Sequence, residues 1–258
     1  ARTGTGANAT VTGDQTDDAV LIKNRGSAVG VLFASRLTYT GYLETSGVTS
    51  ERDAGAQIFQ SNPWDVMGGV KVGTISTSTN ASGNTFINYL FKRAPSFFDE
   101  VCYTGTGSAT TVKHNLASVP EMIIAKARSA GTANWQVYHS AYGPTQTTQL
   151  NLTNAANSGT TVWNSTTPTS TVFSVGTSSG VNSSAVTYVA WLFASCSGVS
   201  KVGSYTGNGS TQTINCGFTG GARFVLIKRT DSTGDWYVYD TARGMTCLLY
   251  TSDAADDT

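Results

Sequence analysis

Charge is scarce in this sequence. Asp, Glu, Lys and Arg make up 12% of its 258 residues, sixteen basic against sixteen acidic, so the net charge is zero. Gripping nucleic acid or an anionic membrane through the overall field needs a basic excess, and neither partner is expected. Disordered tails owe their solubility to dense charge, which is also lacking. Histidine is reduced to His114 and His139, and the four cysteines form no Cys-x-x-Cys pair. No zinc-ligand spacing results, and His and Cys are expected to be structural. The free thiols fit assembly in a reducing cytosol. The longest apolar run, 188–194, falls well short of the roughly 18 residues a membrane helix needs. No helical apolar stripe exceeds about three turns, so little helix is expected. An initiator Met and a signal peptide are missing as well; the chain opens at Ala1 and reads as a piece of something longer.

Ser and Thr fill about a quarter of the chain, with 28 Gly and a tenth of aromatic rings. The last dozen residues break from this texture. Cys247-Leu-Leu-Tyr-Thr-Ser-Asp-Ala-Ala-Asp256 resembles the translation of a sequencing-library transposase adapter. Residues 247–258 are therefore set aside as non-natural, and the natural chain is expected to have been cut near Thr246. Removing Asp253, Asp256 and Asp257 leaves an excess of three positive charges.

The remainder is one unit written two and a half times. Tyr103-Thr-Gly-Thr-Gly-Ser108 recurs as Tyr205-Thr-Gly-Asn-Gly-Ser210, and Arg2-Thr-Gly-Thr-Gly-Ala7 opens the chain. Thr85-Phe-Ile-Asn-Tyr-Leu-Phe91 answers to Thr187-Tyr-Val-Ala-Trp-Leu-Phe193, and Trp135-Gln-Val-Tyr138 to Trp236-Tyr-Val-Tyr239. Lys23, Lys126 and Lys228 each close an apolar run. The expected units are 1–102, 103–204 and a truncated 205–246, each large enough for a small domain. Within a unit, runs of Val, Ile, Thr, Tyr and Phe separated by Gly, Asn, Ser and Pro read as strands, clearest at 121–126, 135–139, 171–175 and 188–193. Residues 109–114 and 211–216 alternate as half-exposed strands do. Run 188–193 is apolar on both faces, as suits a covered central strand. Seven or eight short strands per unit make the fold class all-β: tandem antiparallel β-sandwich repeats of about 100 residues, jelly-roll or concanavalin-like.

These phrases, together with Val225-Leu-Ile-Lys-Arg-Thr-Asp-Ser232, resemble a repeated domain of uncharacterised function in tailed-phage structural proteins, tail fibres and spikes. The resemblance covers residues 1–246 and rests on the order of short motifs. It departs in the first unit, where Arg2 replaces the opening Tyr and Val31-Leu-Phe33 stands for the Trp-centred strand. It implies a virion tail component made in the host cytoplasm, with modules strung like beads as spacers. Its implied partners are other tail proteins, a host-surface glycan and two further copies in a homotrimer. It implies no catalytic residues and no cofactor. A secreted bacterial adhesin, or a carbohydrate-binding module attached to a polysaccharide-degrading enzyme, is the alternative.

Motifs with catalytic precedent are weak. Gly176-Thr-Ser-Ser-Gly180 matches the hydrolase pattern, but no helix is expected after it, so a β-turn is the better account. The Gly-x-Gly at 105/107 and 207/209 lacks a third Gly for a dinucleotide turn. Asp99 and Glu100 are adjacent, so on a strand they point apart rather than across a cleft. No enzyme activity is expected. What the units share is scaffold; function is expected where they differ, at 61–67 and 142–148. Tyr142, Trp163 and Trp64 are the candidate ligand-binding residues, as rings able to stack on sugars. Trp135 and Trp236, at matching positions, are expected in cores. The repeated Lys is expected at a sheet edge, where it discourages pairing.

Overall fold

The computed structural model describes residues 1–13, 16–53, 55–74 and 76–245; the adapter-like segment, with Cys247, lies outside them. The first eight strands are β1 (Arg2–Thr3), β2 (Ala9–Thr12), β3 (Ala19–Asn24), β4 (Leu32–Ser35), β5 (Gly41–Glu44), β6 (Arg52–Asp53), β7 (Gly69–Val72) and β8 (Thr85–Phe91). The second eight are β9 (Phe98–Thr104), β10 (Thr110–Lys113), β11 (Met122–Ala127), β12 (Gln136–His139), β13 (Gln146–Gln149), β14 (Asn157–Ser158), β15 (Val172–Val175) and β16 (Thr187–Phe193). A hairpin of β17 (Phe224–Lys228) and β18 (Trp236–Asp240) follows. Among the described residues, helix is confined to α1 (Thr160–Trp163), α2 (Ser179–Asn182) and the 3-10 turns Gly55–Gln57 and Thr241–Arg243. None of these is long and apolar enough to cross a membrane.

The protein is all-β, with several antiparallel sheets. One six-stranded sheet has the order β1-β8-β3-β4-β5-β6 and the other β9-β16-β11-β12-β13-β14. The second order is the first with every strand index raised by eight. The ribbons β2-β7 and β10-β15 correspond in the same way. Strand β9 runs across the residue pair 102/103 where the repeated phrase begins.

Among the described residues, alternation on the strands sorts side chains into three cores. Val20 and Ile22 of β3 pack with Val11, Val70 and Val72 of the first ribbon. Ile123 and Ala125 of β11 pack with Val112, Phe173 and Val175 of the second. The intervening residues turn the other way. Ala19, Phe33 and Leu43 from the first sheet meet Ile124, Val137, Val189 and Trp191 from the second in a shared third core. Its centre is aromatic: Trp191 lies 3.8 Å from Phe33 and stacks on Trp135 at 5.3 Å, ring centre to ring centre. The bead-like arrangement expected from the sequence is therefore corrected. Strands apolar on both faces need two coverings, a ribbon on one side and the neighbouring sheet on the other.

Two further expectations change. Residues 211–216 form no strand; their counterpart β10 exists by pairing with β15, and the hairpin β17-β18 has no matching third strand among the described residues. A lone strand leaves its backbone groups to water and gains nothing over coil. The repeated Lys is at an edge only in the third copy: Lys228 lies in the two-stranded β17-β18 hairpin, whereas Lys23 lies in β3 between β8 and β4. Lys126 lies in β11, between β12 and β16, and is fully buried. Its ammonium donates to Val48 O at 2.9 Å and Ala133 O at 2.7 Å, and burial pushes its pKa down to about 8.

Candidate functional site

The turn between β4 and β5 is where the two strand sets diverge most tellingly. Thr38 N and Tyr39 N both donate to Ser35 O; in the matching turn between β12 and β13, Tyr142 N and Gly143 N both donate to His139 O. Tyr39 thus occupies the place of Gly143, and both have left-handed backbones, φ 56° and 71°. Glycine adopts this conformation freely, whereas a residue with a Cβ is strained by about 1–2 kcal/mol. The turn holds because Thr38 Oγ1 accepts from Ser35 N at 2.9 Å and donates to Gly41 O at 2.9 Å.

The strained turn projects the Tyr39 ring half into solvent, at 50% exposure. Its hydroxyl donates to Asn62 Oδ1, and Asn62 is itself left-handed at φ 53°. Trp64 Nε1 donates to Tyr39 O at 2.9 Å, and the Arg36 guanidinium sits 5.9 Å over the Trp64 ring. Arg36 is held from below by Asp17 O at 2.8 Å and by the Asp18 carboxylate at 3.5 Å. Together Arg36, Tyr39, Asn62, Trp64 and Asp65 line an open groove of about 430 Å³. An exposed aromatic face flanked by guanidinium, amide and carboxylate groups can stack on a sugar ring and hydrogen-bond its hydroxyls. Strain spent on presenting such a face is the kind of cost found at ligand sites.

Of the three sequence candidates, Trp64 borders this groove, but its ring is buried in the first core. Trp163 is buried in the second core, edge-on to Tyr138 at 5.9 Å. The structure does not bring it together with Trp64. Tyr142 is half-buried; its hydroxyl lies 3.0 Å from Val137 O and 3.1 Å from Thr148 Oγ1, and burial raises its pKa to about 12. Trp135 is buried as expected, and Trp236 is half-buried against the shared core. Sequence reading missed Tyr39 and Arg36, whereas Asn62 falls within the segment 61–67 where function was expected. The available signal was the mismatch of Tyr39 with Gly143, hidden because the preceding connections, 25–31 and 128–135, differ by one residue in length.

The hydrolase-like pattern needs a correction. A helical turn, α2, does follow β15, against expectation, because Ser178 caps it by accepting from Gly180 N at 3.3 Å. The Ser178 backbone is ordinary extended chain (φ −63°, ψ 131°), without the strain of a nucleophile elbow. The repeated Gly-x-Gly has a structural explanation. Asn182 donates to Gly176 O and Ser108 O and accepts from Thr106 N, as Asn80 donates to Gly73 O and Ala7 O and accepts from Thr5 N. A Cβ on Gly105 would lie 2.2 Å from Ser183 O, and Gly107 has φ 75°. Among the described residues no group of three or more His, Cys, Asp or Glu could hold a metal ion.

A family model described as a domain of unknown function, DUF7483, matches residues 92–256. No curated protein and no solved structure matches the chain.

Proposed function

Since the chain belongs to the DUF7483 family, a domain of unknown function, we propose from its geometry that it is a non-catalytic tail-fibre protein of a tailed-phage virion, whose β-units act as spacers and offer a host-surface glycan the groove at Tyr39. The units are tandem copies of one β-sandwich, each a six-stranded sheet closed by a two-stranded ribbon. The matching strand orders of the two sets support that reading. Rigid tandem units glued by an aromatic core suit a spacer.

The observation that carries the recognition role is the tyrosine at a glycine position. The second set shows that this turn closes without it, so the strain at Tyr39 is not needed for folding. A glycan array probed with the whole chain tests the reading. Binding to at least one bacterial surface glycan is expected, weakened about tenfold or more by Tyr39→Gly. The same substitution should leave thermal stability unchanged or slightly raised, since it relieves the left-handed strain. An array without a bound glycan sinks the recognition role. The virion role is tested separately by proteomics of purified phage particles that encode a protein of this family; its absence from the particles overturns that assignment.

A further inference from the structure

One interface is used twice in this molecule, and the lysine–arginine part of its donor half recurs on the first sheet. Lys126 Nζ donates to Val48 O at 2.9 Å, Trp135 Nε1 to Glu44 O at 3.1 Å, and Glu51 N to Arg128 O at 2.8 Å. Further along, Lys228 Nζ donates to Thr153 O at 3.1 Å, Trp236 Nε1 to Gln149 O at 2.9 Å, and Ala156 N to Thr230 O at 2.9 Å. The positions on the docking edge shift by 101 or 102 residues and those on the receiving loop by 105. Three bonds reproduced in step are one docking mode, not coincidence.

The first sheet presents part of that edge: its lysine and arginine recur, but Val31 stands at the place of Trp135 and supplies no indole donor. Lys23 holds in β3 the register of Lys126 in β11, with Arg25 two residues on, as Arg128 is from Lys126. The Lys23 ammonium donates to Val29 O at 2.6 Å, just as that of Lys126 donates to Ala133 O at 2.7 Å. Beside Lys23, where Lys126 meets the receiving loop, lies a notch of about 280 Å³ lined by residues including Lys23, Arg25, Ser27, Tyr89 and Arg243. Arg243 reaches the notch from the 3-10 turn that follows the β17-β18 hairpin. Tyr89 of β8 donates to Asp240 Oδ2 at 2.6 Å and its ring meets Phe224 at 5.0 Å. The hairpin that docks on the second sheet thus also closes back on the first, and the three elements follow one another in a ring.

We propose that this notch docks the acidic loop of a further unit of the same repeat type, which offers a backbone carbonyl to Lys23 and a carboxylate to Arg25. The precedent is the loop that covers Lys126. Val48 supplies the carbonyl there, and both oxygens of Glu51 engage Arg128, Oε1 at 3.0 Å from Nη2. Arg243 already pairs with Asp240, so Lys23 and Arg25 set the charge that selects the partner. The inference rests on reading the strand sets as copies of one unit and is independent of glycan binding.

The test titrates the whole chain with a fluorescent peptide of residues 43–53, the loop that fits Lys126. Saturable binding is expected, weakened about fivefold or more when the peptide carries Glu51→Gln or the chain carries Arg25→Ala. Arg25 is exposed, so its variant should melt with the parent; Lys23→Met is the second variant and should weaken binding likewise. Absence of binding, equal binding by the altered partners, or full displacement by acetate at matched carboxylate concentration would each overturn the proposal. Glycan binding scored on the same samples separates a failure here from a failure of the Tyr39 groove.

Discussion

The hairpins β11-β12 and β17-β18 are close to the same sequence, yet they live in different surroundings. Each uses one face identically: Lys126 and Lys228, and Trp135 and Trp236, bond the carbonyls of the preceding loop. Their other faces differ. Ile123 and Ala125 are covered by the ribbon β10-β15, whereas Val225, Ile227, Tyr237 and Tyr239 sit where no ribbon lies among the described residues, and Tyr237 is exposed. Docking is therefore a property of the hairpin itself. The inner core is a property of the whole unit, because β15 arrives some 50 residues after β11 and must return to pair with β10. Long-range pairings of this kind form only once loop closure has been offset by burial.

The comparison can be broken most sharply at the tryptophans. Trp135→Ala removes a fully buried ring from the shared core and should cost about 3–5 kcal/mol in urea unfolding. Trp236→Ala removes a half-buried one and should cost about half as much. Equal losses would show that the hairpin is as deeply built in as the second unit.

A second contrast lies in pH. Glu100 accepts from Trp191 Nε1 at 2.7 Å in the shared core, and burial raises its pKa to about 7, partly opposed by its hydrogen bonds to Ser35 and Trp191. A folded pKa above the unfolded value means the folded protein binds the extra proton. Its stabilising contribution is complete below about pH 4.5 and is lost as pH rises to about 7. Unfolding free energies measured across that window should fall with pH in the parent and lose this component in Glu100→Gln. The hairpin has no counterpart of Glu100 among the described residues, so Trp236→Ala should leave the slope unchanged.

The smallest effect is expected at the ion pair between Glu51 and Arg128, which the second docking replaces with Ala156 and Thr230. Both side chains are partly exposed, so Glu51→Gln should cost under about 1 kcal/mol in the same melts. A larger loss would mean that the two dockings are not equivalent.

Much of this was legible in the residues. The strands expected at 121–126, 135–139, 171–175 and 188–193 lie within a residue or so of β11, β12, β15 and β16, because β-branched and aromatic runs bounded by Gly, Asn and Ser carry a local signal. The run at 211–216 carried that signal as well and forms no strand, since alternation describes a face and cannot supply a partner. Lys126 reads as a surface residue by type, yet it is buried, its charge satisfied by carbonyls 78 and 7 residues away. The groove was half legible: Trp64 stood in a segment where the units differ, but Arg36 and Tyr39 enter from another strand pair.

Sequence alone determined the all-β character and most of the strand runs, since β-branched and aromatic clusters bounded by turn residues are a local signal. Only the tertiary structure decided that the sheets share a core, that a lysine belongs inside it, and that Tyr39 stands in a glycine's place above Trp64. Those outcomes depend on which surfaces meet after the chain has returned from far away, and residue type carries no record of that distance.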